Sequence, residues 1–66
     1  MAVLKVIELL AESNKSWDDA TQNAVNEASK SIRNIRSLYV KNLSTEVKEG
    51  KISNWRVICK ITFEKE

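Results

Sequence analysis

The chain has 66 residues, one cysteine, no histidine, no proline, one glycine and a net charge of +2. A domain this short buries little apolar surface, and it lacks the residues for disulfide or zinc stapling, so partner subunits are the expected source of added stability. Its interleaved lysines and acids form no basic stripe that would track a phosphate backbone, and its composition is neither fibrous nor low-complexity, so a compact fold with no nucleic-acid partner is expected.

In chain order, Val3-Leu4-Lys5-Val6-Ile7-Glu8-Leu9-Leu10 is short and rich in β-branched residues, which suits a first strand covered on most of both faces. The apolar start Ala2 to Ala11 is about half a bilayer span, is broken by Lys5 and Glu8, and carries no small-residue cleavage site. No membrane insertion and a cytoplasmic location are therefore expected. Ala11 to Lys15 reads as a polar link. Ser16-Trp17-Asp18-Asp19 then reads as a helix start: the Ser16 hydroxyl can accept from the Asp19 amide, and both acids sit at the positive end of the helix dipole.

Trp17, Ala20, Ala24, Ala28, Ile32 and Ile35 recur at three- and four-residue spacing and predict one apolar helix stripe through roughly Asn34. Its alanines allow close approach to a sheet. Ser37 to Lys48 predicts a second strand, with Leu38 and Val40 on one parity and Leu43 and Val47 on the other, a switch that a β-bulge near Asn42 would produce. Glu49-Gly50-Lys51 is a tight turn, and Gly50 can take the positive φ that a hairpin needs. From Trp55 to Phe63 the odd positions Trp55, Val57, Cys59, Ile61 and Phe63 are apolar, which predicts a third, amphipathic strand. The chain is thus expected to be a single α+β domain over residues 1–66, with strand, helix, strand, strand order and a three-stranded antiparallel sheet on one helix. The hairpin is too long for that helix to cover, and the apolar area left over predicts symmetric assembly.

Catalysis has no visible equipment. There is no glycine-rich loop after the first strand, no nucleophile paired with a base and no cluster of metal ligands, so an enzyme is not expected. Cys59 reads as a small core residue, Trp17 as a packing residue, and Trp55 as a core or subunit contact. Asp18 and Asp19 are accounted for by the helix start.

Val6-Ile7-Glu8-Leu9, Ser16-Trp17-Asp18-Asp19-Ala20 and Ala28-Ser29-Lys30-Ser31-Ile32-Arg33-Asn34-Ile35 together resemble the dodecin family. So do Gly50-Lys51-Ile52, Arg56-Val57 and Ile61-Thr62-Phe63-Glu64, and the likeness spans nearly the whole chain. It implies a dodecin-like sheet wrapped partly around one helix and a hollow homo-oligomer of twelve subunits. In flavin-binding members, two flavins stack between tryptophans of neighbouring subunits, and a glutamine on the last strand bonds the ring's polar edge. The implied work is storage and photoprotection.

At the tryptophan's place this chain has Ser37, and at the glutamine's place Arg56. A stack is worth about 1–3 kcal/mol per ring contact, which a serine hydroxyl does not supply, and a guanidinium cannot accept a hydrogen bond. Tyr39, two residues beyond Ser37, is the best alternative stacker, and Glu46 is placed to meet Arg56 as an ion pair. Arg56 itself reads somewhat better as a plain interface or solvated ion pair than as a ligand clamp. The expected function is a self-assembling shell that binds and stores a flavin, riboflavin or FMN, with weakened or altered stacking. The alternative is a flavin-independent dodecamer that binds cations such as calcium, or another small anionic ligand; one branch lacking the tryptophan is described as calcium-binding. A cation site on a symmetry axis draws one acid from each subunit, so no single chain's spacing assigns its residues.

Overall fold

The computed structural model describes residues 2–65. Four elements follow in order: β1 (Val3–Ser13), α1 (Trp17–Ser29), β2 (Ile35–Lys48) and β3 (Lys51–Lys65). The strands form one antiparallel sheet in the order β1-β3-β2, so the last strand lies at the centre and both others are edges. The α+β expectation holds, with differences at the element ends.

The helix begins as its sequence dictates. Ser16 is extended, and its hydroxyl accepts from the Asp19 amide at 3.0 Å. The Ser13 hydroxyl, buried at the corner between β1 and α1, donates to Asp19 Oδ2 at 2.6 Å and accepts from the Lys15 amide at 2.9 Å. Asp19 is therefore committed to the corner. Replacing Ser16 by alanine should cost about 1 kcal/mol, read as a lowered midpoint in urea unfolding; an unchanged midpoint would mean that the Ser13–Asp19 corner alone fixes the helix start.

Ala20, Ala24 and Ala28 are the buried residues of the helix; Val57, Cys59 and Ile61 of β3 are fully buried, and Ala20 and Ala24 form one core cluster with Val57 and Cys59. Leu9, Ala11 and Leu38 pack against this core from the two edge strands. Small side chains on the helix let it lie close to the sheet, and alternation along β3 puts its odd positions inward.

Several boundaries depart from the sequence reading, among them the start of β2, which opens at Ile35 rather than Ser37. The helix stops at Ser29 rather than near Asn34, because the Lys30 and Ser31 amides fall back to the Glu27 and Ala28 carbonyls and tighten the last turn. Asn34 then takes a left-handed φ of 62°, so Ile32 follows the helix and Ile35 opens β2. Ala11 to Ser13 is not a link but the end of β1, paired with Val57, Arg56 and Trp55. The third strand starts at Lys51 rather than Trp55.

The bulge is where the parity switch predicts it, between Val40 and Asn42, with further register shifts at Ile35/Ser37 and Glu46/Val47. Glu49 and Gly50, at φ 52° and 75°, make the two-residue turn between Lys48 and Lys51. A 13-residue helix is roughly 20 Å long, whereas β3 runs roughly 50 Å, matching the molecule's 51 Å long axis. Much of the sheet is uncovered. Val3, Leu4, Val6, Leu10, Tyr39, Leu43, Val47 and Ile52 are all exposed.

Candidate functional site

The even positions of β3 face away from the helix, and the strand register fixes what stands beside each of them. Thr62 pairs with Val6 and Ser37, Lys60 with Glu8 and Tyr39, and Arg56 with Glu12 and Ser44. Ser37 and Tyr39 therefore share one end of the open face, ahead of the bulge. Arg56 and Glu46 occupy the other end. Thr62 and Arg56 lie six positions apart along β3, roughly 20 Å, so one chain does not join its Ser37 to its Arg56. A pocket using both takes them from different copies.

At the far end, Arg56 Nη2 donates to Glu46 Oε2 at 3.0 Å, and Arg56 Nε donates to Glu12 Oε1. Two carboxylates, one from each edge strand, hold a single guanidinium. Ser53 donates its hydroxyl to Glu46 at both the carbonyl, 3.2 Å, and Oε1, 3.3 Å. Asn54 first, and with it the nearby Lys48, Arg56 and Ser53, hold the Glu46 carboxyl below the usual glutamate range, against an opposing push from burial. The Arg56 guanidinium is held still more firmly in its charged form, first by the Glu12 hydrogen bond and charge, then by Glu46.

A lowered carboxyl pKa means that the contribution of Glu46 to stability is present in full above its unfolded-state pKa and is lost as pH falls through the lower, folded value. Glu46→Gln should therefore melt below the unmodified chain at neutral pH, and the gap should close on acidification beneath the ordinary carboxylate range. A gap independent of pH would contradict an ionic role.

The helix grips both ends of the row through Arg56 from the opposite face. Asn23 Nδ2 donates to the Glu12 carbonyl at 3.0 Å, and Trp17 Nε1 donates to the Ser44 carbonyl at 3.0 Å. Trp17 is not the packing residue its spacing suggests: it is exposed at the helix start, with its indole N–H spent on β2. Trp55, half-buried, pairs with Ser13 and Thr45 one position from Arg56 and so belongs to the helix side. It is not on the face of Ser37. Cys59 is fully buried, and burial pushes its thiol pKa up, away from the reactive thiolate.

Glu12 is the site residue that sequence reasoning missed. Its signal was the alternation of β1 carried three residues further, which places a carboxylate directly opposite Arg56. Among the described residues no three His, Cys, Asp or Glu side chains of one chain gather as metal ligands, and no helix is long and apolar enough to cross a membrane. An open cavity of about 260 Å³ lies near the end of β3 between Ile32, Arg33, Phe63 and Lys65, apart from all four predicted site residues.

One helix on one face of a three-stranded antiparallel sheet, with a bare apolar and ionic face opposite, defines a small β-α-β-β module. The dodecin family's sequence model matches residues 3–66. The chain belongs to the dodecin family. Among solved structures it is similar to the dodecin from Streptomyces coelicolor, at 28% identity and TM-score 0.95, covering 98% of this chain and 93% of that one. A dodecin variant from Thermus thermophilus matches at 26% identity and TM-score 0.96, covering 100% and 98%. The calcium dodecin from Mycobacterium tuberculosis, a structure described as having a novel calcium-binding site, matches at 32% identity and TM-score 0.84, covering 97% and 91%. No protein with a curated description matches the chain.

Proposed function

We propose that this chain is the subunit of a non-enzymatic, twelve-membered dodecin shell that assembles and sequesters small ligands without a stacked flavin, and that its ligands are cations. The observation that carries this reading is the pair of changes on the open face. The platform position holds Ser37, whose neighbour across the strand is Thr62, and the ring-edge position holds Arg56, already engaged by Glu12 and Glu46. Glu12 and Glu46 already answer the charge of Arg56, so the guanidinium offers little to the phosphate of FMN. The likeness to a protein described as a calcium dodecin supports the same direction.

Calcium titration of the assembled protein by isothermal calorimetry tests the ligand. Saturable heat at a fixed ratio to subunits, absent after Glu12→Gln with Glu46→Gln, is the expected result. No heat with calcium or magnesium would contradict the cation reading.

A second reading rests on Tyr39, which is 66% exposed and shares its face and strand end with Ser37. A tyrosine ring there can stack on a flavin. Under that reading the unmodified protein quenches riboflavin fluorescence, and Tyr39→Ala abolishes the quenching.

A further inference from the structure

We infer that Glu12 is a specificity-determining residue of the open-face site, which cancels the charge of Arg56 and so bars phosphate and other small anions from it. The inference deepens the proposed function and rests on its assignment of a ligand site to this face. An arginine on an exposed sheet face is ordinarily an anion receptor, because its planar fork matches phosphate and carboxylate oxygens. Here the fork is occupied by the protein's own carboxylates. Glu12 takes Nε, Glu46 takes Nη2, and the three side chains are each about a third to two-fifths exposed, so ligands in solvent can reach them.

Glu12 is anchored through its backbone. Its residue is paired with Arg56 in the sheet register, and its carbonyl is held from the other face by Asn23 of the helix at 3.0 Å. Its backbone is thereby fixed at the one place where its carboxylate meets the guanidinium. Glu46 is shared among Arg56, Ser53 and Lys48, whose Nζ lies at 4.0 Å, so part of its charge is already answered. Glu12 has Arg56 alone as a cationic partner among the described residues. It is therefore the carboxylate whose removal unmasks Arg56 most.

The test uses the assembled protein with inorganic phosphate as the probe, followed by phosphorus NMR line broadening at low salt. Glu12→Gln keeps the size and an acceptor oxygen while removing the charge. It should bind phosphate at least about tenfold more tightly than the unmodified oligomer, with the gain fading as salt screens it. The gain should vanish when Arg56→Gln is added. Equal phosphate affinity with and without Glu12→Gln, or a gain that survives Arg56→Gln, overturns the inference. Should Glu12→Gln change the mass of the oligomer, Glu46→Gln removes the opposite carboxylate and is read by the same two criteria. Riboflavin affinity of the unmodified oligomer, measured alongside, bears only on the flavin-free reading: tight binding would contradict that reading and leave the phosphate comparison standing.

Discussion

A Ser37→Trp variant should bind riboflavin roughly fivefold to more than a hundredfold more tightly than the unmodified oligomer, with quenched flavin fluorescence. The range follows from about 1–3 kcal/mol per ring contact, since each 1.4 kcal/mol is tenfold in affinity. The position tolerates the change within the subunit. Ser37 is exposed on the open face beside Thr62, so an indole there displaces no core side chain. The quenching arises because an indole in contact with an excited flavin can transfer an electron to it. If the variant assembles and still fails to bind riboflavin, loss of the tryptophan does not explain a flavin-free shell, and the ionic row at Arg56 becomes the stronger obstacle. Adding Glu12→Gln and Arg56→Gln to Ser37→Trp would then separate the two.

Ile61→Ala should destabilise the fold by about 2–5 kcal/mol. Ile61 is the largest of the fully buried side chains, and its neighbours on the sheet, Ile7 and Leu38, are held by strand pairing on both sides, so the gap has little freedom to close. For a small domain whose net stability is a modest difference of large terms, a loss of that size should also shift mass from the oligomer toward unfolded monomer. Chemical unfolding gives the magnitude, and sedimentation at the same concentration gives the assembly. A cost under 1 kcal/mol would mean that this core is not what holds the subunit together.

Where local chemistry decides the structure, the residues announce it. Ser16 caps the helix, the alanine spacing marks the buried stripe, and the parity change from Val40 to Leu43 marks the bulge. All three depend on neighbours within a few residues. The misplaced boundaries have the opposite character. Glu12 and Ser13 are polar and look like a link, yet they stay in β1 because β3, more than forty residues later, supplies their partners. Ile32 continues the helical spacing, but the amides of Lys30 and Ser31 turn back early and Asn34 reverses the chain.

The candidate site divides along the same line. Ser37, Tyr39, Arg56 and Glu46 can be picked out from the chain, and the Glu46–Arg56 contact follows from the hairpin, whose two strands are adjacent in sequence. Glu12 cannot be found until the register of β1 is known. Nor does sequence show that Ser37 and Arg56 stand roughly 20 Å apart on β3, so that a pocket using both must be made by more than one subunit.

Native mass spectrometry of the protein purified without added flavin tests the central claim most directly, because one spectrum reports both the number of subunits and any ligand retained. The account predicts a single twelve-subunit species that carries no flavin mass. A monomer, or an oligomer that retains flavin at a fixed ratio to its subunits, would contradict it.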